Sequence, residues 1–347
     1  MALNNETGAK PSVKLHARPV VATIILIGGT AALLLSMALA ISVGAANISL
    51  ETVWEAVFKF NPDLTSHQII RELRMPRAIA CAVVGAAFAV SGAIMQGMTR
   101  NPLADPSLLG LNAGAGFVLA ICFAFFPSLS YMSIMLFCFV GAALGVAIVY
   151  GVTSLSKGGL TPVRLTLAGA AVSALFVALS SGIQIHYKVG QNMAFWYHGG
   201  VAGINWQQIS IITPWIGGGL IGAIIISRAI SLLSLGEDIA VSLGTRTGLI
   251  KVLGLVFTLV LAGAGVSVAG AVGFIGLIIP HFARYLVGVN YRWIIPCSAV
   301  LGGLLVVLAD IVARTMNPPS EFPIGALIAL IGVPFFLYLA VKQRGEL

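Results

Sequence analysis

A chain of 347 residues that is 59% hydrophobic and 9% charged, with a mean hydropathy of +1.02, is far more apolar than a soluble domain, whose charged share is about 25%. This composition excludes a water-soluble globular enzyme and indicates an all-α polytopic membrane protein. The net charge of +8 is dispersed among loops, so it reads as membrane topology and not as a nucleic-acid footprint.

The chain begins with a polar segment, 1–21, carrying Lys10, Lys14 and Arg18. The apolar run behind it is long and does not end in a clear Ala-x-Ala cleavage site, so it is read as a retained first helix after a cytoplasmic segment. Runs of about 20 apolar residues can each span a bilayer. They fall near 22–43, 77–98, 108–126, 131–152, 162–184, 208–230, 249–272, 274–289, 293–313 and 323–341, which gives about ten transmembrane helices. The 274–289 run is short and starts directly after its predecessor, so nine spans plus a re-entrant piece is the competing count. With both termini inside, 13 of the 19 Lys and Arg face the cytoplasm, as the positive-inside rule expects.

Residues 44–76 then lie outside and contain Leu50-Glu-Thr-Val-Trp-Glu-Ala-Val-Phe58, whose apolar residues recur at helical spacing and suit a membrane surface. The second outer loop is 185–207. Asn101-Pro-Leu-Ala-Asp-Pro106 reads as a cytoplasmic turn. The only substantial inner loop, 232–248, looks like two short helices broken at Gly236 and Gly244. Small-xxx-small spacings at Gly110/Gly114, Gly141/Gly145 and Gly218/Gly222 imply close helix packing. Cys81, Cys122, Cys138 and Cys297 all fall within apolar runs and read as small buried hydrophobes, not as metal ligands or disulfides.

Gly85-Ala-Ala-Phe-Ala-Val-Ser-Gly-Ala-Ile94 recurs as Gly263-Ala-Gly-Val-Ser-Val-Ala-Gly-Ala-Val272 at an offset of 178, which Pro102 and Pro280 share. The two copies are separated by five alternating crossings, so the repeat is inverted, an arrangement frequent in transporters. Chance likeness between two Gly/Ala-rich helices is the blander reading.

No phosphate-binding loop, His-Glu-x-x-His or Gly-x-Ser-x-Gly occurs, so the chain is read as a non-enzyme without cofactor or resident metal. Any ATP-driven step then needs a separate subunit. Asp310 is the only acid deep in a predicted span, with Arg314 at i+4. The pair is either a proton or sodium site, which would make the chain an ion-coupled secondary transporter, or a locally neutralised structural pair. Arg71, Arg74 and Arg77 lie outside against the positive-inside trend, and with Arg314 they form either a basic rim for an acidic partner or partners of lipid headgroups and Glu72.

Six motifs in order, Leu73-Arg-Met-Pro-Arg77, Gly92-Ala-Ile-Met-Gln96, Asn101-Pro-Leu-Ala-Asp-Pro106, Gly270-Ala-Val-Gly-Phe-Ile-Gly-Leu-Ile-Ile-Pro-His281 with Arg284, Ala309-Asp-Ile-Val-Ala-Arg314 and Glu321-Phe-Pro-Ile-Gly325, resemble the FecCD family of type II ABC importer permeases. The resemblance implies one permease domain over 1–347, paired with a second, identical or paralogous permease subunit in the bacterial cell membrane. It also implies two cytoplasmic ATPase subunits and an extracytoplasmic substrate-binding protein. The cargo it implies is a ferric siderophore first, with haem or cobalamin as alternatives. By motif, Arg74, Arg77 and Arg314 match the family's docking arginines for acidic knobs of the binding protein. The 232–248 loop resembles its coupling helices, with Glu237, Asp238, Leu243, Gly244 and Arg246 as ATPase contacts.

Overall fold

The computed structural model describes residues 17–44, 48–155, 162–198, 200–317 and 320–344; Lys10, Lys14 and Lys157 lie outside them. Among the described residues the fold is helical, with an isolated bridge between Ala17 and Gly288 as the one β element. The helices are α1 Pro19–Ser42, α2 Leu50–Phe58, α3 Thr65–Gln68, α4 Met75–Thr99, α5 Leu111–Phe125, α6 Tyr131–Leu155, α7 Pro162–Tyr187, α8 Gly190–His198, α9 Trp206–Ser234, α10 Glu237–Ser242, α11 Thr247–Ala269, α12 Ile275–Val287, α13 Tyr291–Thr315 and α14 Ile324–Arg344. A π-helical turn, Ile69–Arg74, joins α3 to α4.

Seven helical stretches are long and apolar enough to cross a bilayer, and α5, α12 and α14 supply the remaining apolar runs expected from hydropathy. The 13 residues of α12 reach about 20 Å, short of a hydrocarbon core of about 30 Å. Its first turn lies beside Phe88 and Gly92 of α4, and Arg284 in its last turn bonds Gln96 and Tyr291. It therefore starts part-way along α4 and runs to the Gln96 end.

Lipid tails are as apolar as the helices, so burial alone gives no reason for helices to associate; small residues that admit close backbone contact do. The central helix α4 shows this, with 18 of its 25 residues buried, half of them Ala or Gly. A β-carbon on Gly85 would overlap the Gly302 carbonyl, and one on Gly302 would overlap that of Gly85. Gly110 and Gly114 of the expected spacings meet Gly145 and Gly141 across the α5–α6 contact. At the third, the expectation is off by one residue: Gly218 faces open space, while Gly219 and Gly222 receive Leu261 and Phe257 of α11.

The repeat is visible as geometry. Gly254 of α11 lies against Ile94 and Met98 of α4, while Gly265 lies against Phe88, so the two copies pack antiparallel. Gly110 and Gly288 extend the offset of 178 to a third landmark: each takes a positive φ, +76° and +88°, just ahead of a helix. The 232–248 loop departs from the expected pair of helices. One short helix, α10, sits between Gly236 (φ +133°) and Gly244 (φ +79°), because the flanking residues are absorbed into α9 and α11.

Candidate functional site

At one end of the bundle the motif Leu73-Arg-Met-Pro-Arg77 enters α4 through the π turn. Pro76 lacks an N–H, and its ring would crowd the carbonyl four residues back; the wider π turn gives it room. The same turn directs Arg74 and Arg77 into the protein. Arg74 is 9% exposed and its Nη1 donates to the carbonyls of Ile41 (2.7 Å) and Ser42 (2.8 Å). Arg314, from the end of α13, donates to the carbonyls of Ala40 (2.9 Å) and Val43 (3.2 Å). The last carbonyls of a helix lack intrahelical donors and carry its negative pole. Two guanidiniums thus cap α1, a helix whose spanning window is only 11% buried.

Arg77 joins the remaining groups. Its Nε and Nη2 donate to Asp310 Oδ1 at 2.9 and 2.8 Å, and its Nη1 and Nη2 donate to the two carboxylate oxygens of Glu321 at 2.8 and 2.9 Å. Arg314 Nη2 stands 3.0 Å from the other Asp310 oxygen. Asp310 is fully buried, whereas the Glu321 side chain is 42% exposed. A cleft of 470 Å³ opens over this cluster, lined by Arg74, Arg77, Arg314 and Glu321 together with Leu73 and Ile204. Arg71 lies apart from it, with its guanidinium 4.5 Å from the Phe60 ring centre. The pairing of Arg77 with Asp310 and Glu321 spans 233 and 244 residues, and no local sequence signal announces it.

At the opposite end the Gly92-Ala-Ile-Met-Gln96 motif docks α12 onto α4. Gly92 has no side chain because the Gly276 backbone occupies that space. Pro280 has no N–H to give the Gly276 carbonyl, and Gln96 Nε2 donates to it instead at 3.1 Å, and to Leu277 O at 3.2 Å. Gln96 Oε1 in turn accepts from Arg284 (2.9 Å), which also donates to the Tyr291 hydroxyl (2.9 Å). Two of the six motifs are therefore one network. Gln96→Leu should lower stability by about 1–3 kcal/mol, because it strands a buried carbonyl and an arginine; thermal unfolding in detergent measures it. His281 stacks edge-on against Phe335, with ring centres 5.5 Å apart.

The Asn101–Pro106 turn does more than reverse the chain. Asp105 is 5% exposed, caps the 3₁₀ turn Pro106–Leu109 through Ser107 N (2.7 Å), and lies against Ser91 and Gly276. On the same end α10 presents Ile239, Val241 and Leu243 at 42, 56 and 56% exposure, beside exposed Asp238, Gly244 and Arg246. Glu237 makes a 2.6 Å ion pair with Lys251, whose hydrogen bond and charge hold its carboxyl below the usual range. The five residues expected to contact an ATPase thus share one surface feature.

The chain is 53% identical over 336 residues to the iron(3+)-hydroxamate import system permease protein FhuB of Bacillus subtilis (strain 168), covering 97% of this chain and 88% of that one. It is 40% identical to the iron-uptake system permease protein FeuB of the same organism, covering 93% and 97% of the two chains. A solved metal-chelate type ABC transporter in an inward-facing conformation superposes with a TM-score of 0.78 at 30% identity, over 92% of this chain and 99% of that one. Residues 32–342 match the FecCD transport family. The chain is an integral protein of the bacterial cell membrane and belongs to the FecCD transport family of permeases.

Proposed function

We propose that the chain is the membrane-spanning subunit of an ATP-driven importer of ferric hydroxamate siderophores. The 53% identity to a hydroxamate permease over nearly the whole length carries the substrate class. In this reading 1–347 is one permease domain with both termini in the cytoplasm, two permease subunits flank a central path, and the Arg77 end faces outward. The 470 Å³ cleft over Arg74, Arg77 and Arg314 receives an acidic knob of an extracytoplasmic binding protein, where complementary charge sets on-rate and register. The α10 surface, apolar and exposed at a loop, receives the ATPase; closure of the ATPase pair moves α10 and, through α9 and α11, the helices around the path. Transport follows because the two conformations differ in affinity for cargo.

Asp310 argues against the ion-coupled alternative. It bonds two guanidiniums and is fully buried, which suits a fixed counter-ion better than a site that loads and releases protons. Uptake of radio-iron hydroxamate siderophore in cells deleted for this chain and complemented with it is the test. Uptake should return on complementation, fall at least about tenfold with Arg74→Glu, and recover in part when the opposing acid on the binding protein is reversed. It should persist under a protonophore while ATP is maintained. Uptake that collapses with the proton gradient at constant ATP would sink the ATP-driven reading, and unchanged uptake on deletion would sink the hydroxamate assignment.

A further inference from the structure

Within the arginine cleft, the fork of Arg77 is closed to a new carboxylate as it stands. Four of the five N–H groups of Arg77 are engaged by Asp310 and Glu321. Arg314 is bound to Asp310 and to two α1 carbonyls, and Arg74 to two more. Any acid that forks onto Arg77 must take the place of something already there. The candidates for displacement differ sharply. The α1 carbonyls lie at a helix end, where intrahelical donors run out, and Asp310 is fully buried between two guanidiniums. Glu321 alone is half-exposed, sits at the mouth of the cleft, and on leaving gains water.

We infer that Glu321 is an internal stand-in for the partner's carboxylate, and that docking proceeds by carboxylate exchange on Arg77; this rests on the docking reading above. The charge balance fits. Arg74, Arg77 and Arg314 against Asp310 and Glu321 leave the closed cleft with one positive charge (3 − 2), and replacing Glu321 by an external carboxylate keeps that value. The bidentate geometry fits as well, since the Glu321 contact is the planar fork by which an arginine recognises any carboxylate. The exchange is local. Phe322 N donates to Ala313 O at 3.0 Å, so the backbone beside Glu321 stays pinned to the end of α13 while the side chain swings out. With Glu321 in place, Arg77 presents no open fork to anionic lipid or free organic acids, which gives the cleft selectivity for a partner able to outcompete a tethered rival.

The test measures the affinity of the assembled transporter in nanodiscs for the soluble form of the substrate-binding protein that supports uptake through it. Glu321→Gln removes the rival and should tighten binding by about tenfold, and Glu321→Asp, one methylene shorter, should fall between. In an Arg77→Lys background, which keeps the charge but loses the fork, the effect of Glu321→Gln should disappear. Unfolding midpoints of each variant confirm that folded protein is compared, and Glu321→Asp carries the test if Glu321→Gln does not fold. Unchanged or weaker binding by the Glu321 variants, with Arg77→Lys still weakening docking, overturns the exchange and leaves the docking site standing. Unchanged binding by Arg77→Lys, together with Arg74→Lys and Arg314→Lys, removes the docking site and the exchange with it.

Discussion

Asp310→Ala should destabilise the folded chain by about 3–5 kcal/mol, the range for breaking a buried ion pair from one side. The cause is not the lost attraction alone. Arg77 and Arg314 would stay buried, with side chains only 14 and 9% exposed, and one of them would have no carboxylate left. Because Arg314 also caps α1, the damage should spread to that helix, and its protease sensitivity should rise with the fall in unfolding midpoint. Asp310→Asn should cost nearly as much, since it keeps the shape and removes the charge. Glu321→Gln, at the exposed face of the same arginine, should change stability by less than about 1 kcal/mol. Unfolding in detergent compares the three, and an Asp310→Ala protein within 1 kcal/mol of the parent would show that the cluster does not hold the helices together.

Gly92→Val should leave little or no folded protein. The β-carbon would coincide with the backbone of Gly276, and backbone cannot step aside as a side-chain tip can. Overpacking in a tight core commonly costs about 1–3 kcal/mol and more where nothing yields; here the α4–α12 contact would have to open, breaking the Gln96 bonds to Gly276 and Leu277. Gly218→Ala is the matched control, because nothing lies within 4 Å of the position where its β-carbon would go. It should be neutral or stabilising by up to about 1 kcal/mol through helix propensity. Monodisperse yield after solubilisation reads both, and a Gly92→Val protein that behaves like Gly218→Ala would mean that α12 does not pack on α4 as described.

Hydropathy carried most of the architecture, since each apolar run maps to a helix and a bilayer-length run has few other uses. The glycine spacings located the α5–α6 contact, because its two pairs face each other, but missed by one residue on α9, where a run of three glycines leaves the facing residue undetermined until α11 is placed. Glycine punctuation at 236 and 244 was right, yet a punctuated loop does not say which residues its neighbouring helices will annex. The arginine motif was visible, but its contacts were not. Positions 77, 310 and 321 are related only through the packing of α4 on α13, and nothing local to Arg77 distinguishes a guanidinium facing solvent from one held by a buried acid. Asp105 is a similar case: two flanking prolines announce a turn, but its burial against Gly276 depends on where α12 begins.

The separation of Arg77 from Asp310 has a consequence for how the protein is made. A ribosome adds about 5–20 residues per second, so the 233 residues between them put the acid about ten to fifty seconds behind the base. For most of that interval α4 is already synthesised, with an arginine and a glutamine whose partners have still to be made and a surface of Ala and Gly matched to later helices. The most interior helix of the finished bundle is thus among the earliest to leave the ribosome, and it has to be sheltered, at the insertion machinery or at the headgroup layer, until the last third of the chain arrives to enclose it.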